Sequence, residues 1–151
     1  MILTRRYVIK IIFTNSDGGA RGNPGPGAIG VIVRDEGKIL TKYSKKIGNF
    51  LTNNIAEYHA LIKALELAST FTKDEITCEL DSELIVNQLL GKYKVKNPKL
   101  LELFLKVQNL QERFSKIKYV HVSRFNNFQQ ICDEMLNEEL DKAGHNRYWK
   151  R

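Results

Sequence analysis

The feature that most constrains this chain is a change of hydrophobic period at Thr52, Asn53 and Asn54. Before it, β-branched and aromatic residues mark three strands, over residues 7–13, 28–34 and 38–46. Asp35, Glu36 and Gly37 leave room only for a tight turn between the second and third, so the three form an antiparallel meander. After it, Ile55, Tyr58, Ile62 and Leu65 recur at helical spacing, widened by Leu61, Ala64 and Ala68. Residues 76–80 read as a fourth strand and residues 82–90 as a short helix stopped by Gly91. A helix from Pro98 to about Phe114, a fifth strand over 117–122, and a last helix over 130–143 ended by Gly144 complete the chain. The glycines and prolines of residues 17–27 are expected to exclude a regular element there. The order β-β-β-α-β-α-α-β-α implies an α/β fold, a five-stranded mixed sheet with helices packed on it.

With 151 residues the chain is sized for one domain over 1–151, with a flexible basic tail expected over 143–151. No apolar stretch is long enough to span a bilayer and no signal-like segment precedes the first strand, so a cytoplasmic monomer is the default expectation. Cys78 and Cys132 sit in apolar runs without metal-ligand spacing and read as buried reduced thiols. The formal net charge of +7 is unevenly spread. Residues 1–50 and 92–118 each carry +6, residues 51–91 carry −5, and residues 119–151 are neutral. An acidic segment between basic ones suits a protein that must attract both cations and phosphates.

Four carboxylates stand out. Asp17 lies where the first strand meets the glycine-rich run, and an Asp-Gly turn explains it equally well. Strand alternation would put Asn15 and Asp17 on one face, roughly 6–7 Å apart. Glu57 falls on the sheet-facing side of the long helix, where a first-turn acid satisfied by backbone donors is the plain alternative. Asp81 follows the fourth strand, at a junction where an N-cap aspartate is ordinary. Asp133 is in phase with Leu136 and Leu140, which puts a lone carboxylate on an apolar stripe. Gathered together, four acids would repel one another unless a cation joined them, and hard divalent ions favour such oxygen-only surroundings.

At this point the sequence resembles the ribonuclease HI family over residues 7–143. The segments that carry the resemblance are DGGARGNPG (17–25), TNNIAEYHAL (52–61), ELDSELIVNQL (79–89), KVKNP (94–98), HVSR (121–124) and DEMLN (133–137). The resemblance implies an endonuclease that hydrolyses the RNA strand of RNA–DNA hybrids, leaving 5′-phosphate and 3′-hydroxyl ends. It implies two Mg²⁺ ions during catalysis, with Mn²⁺ as a substitute, held by Asp17, Glu57, Asp81 and Asp133. Glu57 would also stand near the RNA 2′-hydroxyl. Arg21, Gly22 and Asn23 would belong to the loop that meets the hybrid, Asn53 and Asn54 would face its minor groove, and Ser82 would sit beside the second aspartate. Arg124 is a candidate cation in a loop where some relatives carry a histidine.

Two departures bear on activity. Family members usually have Thr followed directly by Asp-Gly, whereas Asn15 and Ser16 separate Thr14 from Asp17 here. Either the strand bulges to deliver Asp17, or Asn15 takes the acid's place and the metal site loses a charge. Residues 125–131 are also longer than their counterpart, so a displaced loop is expected before Asp133. The alternative is therefore a catalytically weakened hybrid-binding protein of the same fold.

Overall fold

The computed structural model describes residues 11–145; the start of the first expected strand and most of the basic tail lie outside these. The strands are β1 (Ile11–Ala20), β2 (Gly25–Arg34), β3 (Ile39–Leu51), β4 (Glu75–Leu80) and β5 (Lys116–His121). The helices are α1 (Asn53–Ala68), α2 (Glu83–Leu89), α3 (Pro98–Gln111) and α4 (Asn127–Lys142). The sheet order is β3-β2-β1-β4-β5; β1, β2 and β3 pair antiparallel, and β4 runs parallel to both β1 and β5. The expected mixed-sheet α/β architecture is thus the one observed.

One face of the sheet is covered by α1, with α3 packed against it, around Ile12, Leu61, Leu65, Ile76, Leu80 and Val107. Helix α4 covers the other face, setting Leu136 and Leu140 on Ala28. Helix α1 begins where the hydrophobic period changes because the Thr52 hydroxyl accepts from Ile55 N–H. Asn97 caps α3 in the same way ahead of Pro98. Both cysteines are buried and free.

The glycine-rich run does not end β1. Pairing with β2 continues in unbroken register from Phe13↔Arg34 to Ala20↔Gly27, with Asp17 opposite Gly30. The reason is that Gly18 in this run, and Gly30 opposite Asp17 on β2, make room for helices. A Cβ on Gly18 would lie 2.2 Å from the Ala56 carbonyl carbon, and one on Gly30 would lie 2.2 Å from the Cys132 carbonyl oxygen. Strand β3 likewise outruns its expected end, reaching Leu51 through register shifts opposite Gly25–Ala28.

The long segment before Asp133 is not a displaced loop. Asn126 accepts from Phe128 and Gln129 N–H groups, so α4 starts three residues earlier than expected and absorbs the extra length as helix. At the end of the described residues, the His145 carbonyl accepts from Arg21.

Gly30→Ala is expected to destabilise the fold by about 3 kcal/mol, because neither backbone can yield to the added methyl. Urea unfolding measures this; a loss below about 0.5 kcal/mol would show that α4 does not seat against β2 so closely.

Candidate active site

The sheet opens where β1 and β4 part. Their parallel pairing stops at Asn15↔Glu79, while β1 stays bound to β2 for five more residues. Strand β4 ends at Leu80, so Asp81 leaves the sheet at the carboxyl end of a strand, beside Asp17 on the continuing one. Ser82, not Asp81, caps α2: its hydroxyl accepts from Ile85 N–H at 3.3 Å, and the aspartate is left for other work.

Glu57 reaches the same point from α1. The contact between Gly18 and the Ala56 backbone brings the helix down onto β1, and Gly18 N–H donates to Glu57 Oε1 at 2.9 Å. As a result, a carboxylate oxygen from each of Asp17, Glu57 and Asp81 lies within 4.8 Å of the other two. Asp133 stands outside this tight group but lines the same cleft of about 580 Å³, together with Asn53, Ser82 and Arg124. It is exposed, contrary to the expectation of a carboxylate on the apolar stripe: the buried stripe of α4 is Gln129, Cys132, Leu136 and Leu140, and Asp133 flanks it.

Burial and crowding perturb these acids strongly. The Asp17 carboxyl, 7% exposed, is held well above the usual range by loss of solvent and then by the charges of Glu57, Asp81 and Asp133. Burial followed by the Asp81 charge pushes Glu57 up to about 8, against the bond from Gly18. Asp81 is raised mainly by burial.

Asn15 does not take the first acid's place. It is fully buried, and its side chain bonds Arg34, Glu79 and Gln129. Asp17 is the acid that reaches the cluster, and β1 delivers it by continuing in strand alternation, without the bulge that was expected to bring it there.

Next to the cleft, a second recess of about 420 Å³ is lined by Asn23, Thr52, Asn53, Asn54, Asn97 and Lys99. Asn53 belongs to both. Its backbone N–H donates to Asn23 Oδ1 at 2.9 Å, and its own Oδ1 accepts from Ala20 N–H at 2.9 Å, which ties the loop after β1 to the start of α1. Gly22 turns that loop with a φ of 85°. The Arg21 side chain points elsewhere: it is buried, and it pairs with Asp141 at 2.8 Å and with Asn137 Oδ1 at 2.9 Å on α4. The Arg21 backbone N–H is also taken, donating to Pro26 O at 2.9 Å, so neither it nor the side chain is left for a ligand. Sequence reasoning gave no role to Phe125 or Gln130, which line the cleft, or to Asn97, which lines the second recess; for Asn97 two signals were present, its place in the KVKNP segment and its capping chemistry at the start of α3.

Fold and acids together define a ribonuclease H-like domain. Residues 15–129 match the family model described as reverse transcriptase-like. The chain is 38% identical over 137 residues to the "Bifunctional protein Rv2228c" of Mycobacterium tuberculosis, covering 89% of this chain and 36% of that protein. It thus spans about a third of that relative's length. The solved N-terminal RNase H domain of Rv2228c superposes with a TM-score of 0.83 at 36% identity, covering 89% of this chain and 96% of the other. Ribonuclease HI of Halobacterium salinarum is 41% identical over 128 residues, covering 84% of this chain and 63% of that protein. LC11-RNase H1, solved in complex with an RNA/DNA hybrid, shares 44% identity and a TM-score of 0.81, with 87% of this chain and 98% of the other covered. The chain belongs to this family and is homologous to ribonuclease HI enzymes.

Raised carboxyl pKa values mean that the folded protein holds protons the unfolded chain has released above about pH 4. Without divalent ions these groups oppose folding increasingly as pH rises from about 4 toward 8. Asp17→Asn is therefore expected to raise the melting temperature in EDTA, more at pH 8 than at pH 5. A stabilisation that shrinks with rising pH would contradict the crowding.

Proposed function

We propose that this protein is a divalent-metal-dependent endonuclease that cuts the RNA strand of RNA–DNA hybrids. The observation that carries this reading is the convergence of Asp17, Glu57 and Asp81 on one point at the floor of an open cleft. Acids buried and crowded to this degree are held apart from their preferred protonated state only at a cost, and a divalent cation offsets it. The donor set is all carboxylate oxygen, which suits Mg²⁺, or Mn²⁺ in its place, over softer metals. Asp17, Glu57 and Asp81 would hold the metal, with Asp133 completing a two-ion site from the rim. Such a pair of ions, when bound, supplies an activated water and a counter-charge for the departing 3′-oxygen.

The chain's own residues account for substrate choice. A cut confined to RNA must sense the 2′-hydroxyl, and Glu57 and the amides of Asn53 and Asn54 offer both acceptors and donors beside it. Asn23 braces Asn53, and the Arg21–Gly22 backbone shapes the loop that would meet the duplex. At the opposite rim Ser82 fixes the start of α2 beside Asp81, and Arg124 offers a cation to a phosphate. The relative solved with an RNA/DNA hybrid supports the choice of duplex.

The weakened-binder alternative required Asn15 to stand where the first acid should be. Its engagement with Arg34, Glu79 and Gln129 favours the enzymatic reading.

Asp81→Asn removes charge with little change of volume. It is expected to lower hybrid cutting by at least about 10³-fold in Mg²⁺ while leaving the circular dichroism spectrum intact. Undiminished cutting in this variant refutes the assigned role. Asp17→Asn should match it in severity, whereas Asn15→Ala should retain measurable metal-dependent cutting.

A further inference from the structure

Behind the acids lies a set of buried and half-buried polar side chains, of which Gln129 also bonds the Asp81 carboxylate. Asn15 is its hub. Asn15 Oδ1 accepts from Arg34 Nε at 2.9 Å, and Nδ2 donates to Glu79 Oε1 at 2.9 Å and to Gln129 Oε1 at 3.2 Å. Arg34 is 5% exposed, pairs with Glu79 at 2.9 Å, and lies over the rings of Phe13 and Phe128 at 4.7 and 4.2 Å. Two consecutive carbonyls of β1, those immediately preceding Asp17, are both bonded from α4. Cys132 Sγ donates to Asn15 O at 3.3 Å, and Gln129 Nε2 donates to Ser16 O at 2.7 Å. Asp133 is the next residue after Cys132 and lies one helical turn after Gln129.

Adhesion alone does not require such a network, since buried ionic groups can often be exchanged for apolar ones of similar volume without loss of stability. What apolar contacts leave loose is register, and directional bonds to particular carbonyls set it. Asp133 is the acid most in need of this. Asp17 is fixed by the strand that carries it, Glu57 by its bond from Gly18, and Asp81 by its place directly after β4 together with a bond from Gln129. Asp133 is exposed on a helix, and its distance from the others depends on where α4 sits along β1.

We propose that Gln129 and Asn15, backed by Arg34, are positioning residues that set the register of α4 on β1 and so place Asp133 opposite Asp17. The inference rests on the hydrolytic reading for its activity readout, but its metal-binding readout stands without it.

A double-mutant cycle between Gln129→Met and Asp133→Asn tests this. Gln129→Met keeps the length and burial of the side chain and removes its amide bonds. Mn²⁺ binding is followed by the electron paramagnetic resonance signal of the free ion, and hybrid cutting is followed in parallel. With Asp133 present, Gln129→Met is expected to weaken Mn²⁺ binding about fivefold and slow cutting at limiting Mg²⁺ about tenfold. With Asp133→Asn, both losses should shrink to less than about 1.5-fold. Equal losses in the two backgrounds overturn the proposal, because a merely structural residue, or one acting only through its bond to Asp81, would act regardless of Asp133. If Gln129→Met folds poorly, Cys132→Ala, which removes the bond to Asn15 O, enters the same cycle under the same criterion. A wild-type protein that binds Mn²⁺ but cuts no hybrid refutes the hydrolytic reading and leaves the binding cycle to decide this one. A wild-type protein that does not bind Mn²⁺ overturns both.

Discussion

Two backbone-to-backbone contacts, Gly18 with Ala56 and Gly30 with Cys132, hold the rest of the site in place. Gly18 follows Asp17 in sequence and Gly30 is its cross-strand partner, so both contacts fall beside the first acid. Strand alternation points them to opposite faces. One admits the first turns of α1 and with it Glu57; the other admits α4 next to Asp133. Had either position carried a side chain, its helix would stand off the sheet and its acid would be withdrawn from Asp17. The absence of two methyl groups thus does as much for the chemistry as the presence of four carboxylates.

That closeness has an electrostatic consequence. Burial and mutual repulsion raise Asp17, Glu57 and Asp81 toward protonation, and the fold supplies them with few donors. The bond from Gly18 to Glu57 only partly offsets the effect. Arg34 and Arg21, two buried cations near by, are committed elsewhere, the first to Glu79 and the second to Asp141. On the proposed reading the site is completed by a cation and not by a side chain, and the lysine-rich stretch over residues 92–118 would serve phosphates.

Much of this was legible in the sequence, where local periodicity governs. The period change at Thr52 placed α1, the meander was set by its short turn, and the acids at Glu57 and Asp81 stood out at element junctions. The path of β1 was not legible, because glycine was read as a breaker. Its use here is to permit contact, which depends on residues about 40 and 100 positions away. Helix phase placed Asp133 with Leu136 and Leu140, but the stripe is completed by Gln129 and Cys132, so the acid falls on its flank. The Asn15 hub was invisible for a related reason: its partners Glu79 and Gln129 lie 64 and 114 residues away, and nothing local distinguishes a buried asparagine from a turn residue. Arg21 lies in the loop assigned to the substrate, yet its side chain is taken up by α4, a commitment only tertiary structure reveals.

The central claim is that Asp17, Glu57 and Asp81 converge in order to hold divalent cations. An anomalous difference map from a crystal soaked in Mn²⁺ tests it most directly. The account predicts density flanked by these three carboxylates, with a second peak toward Asp133 once a hybrid is bound. Density found only elsewhere, or none with Asp17 turned out of the cleft, would contradict it.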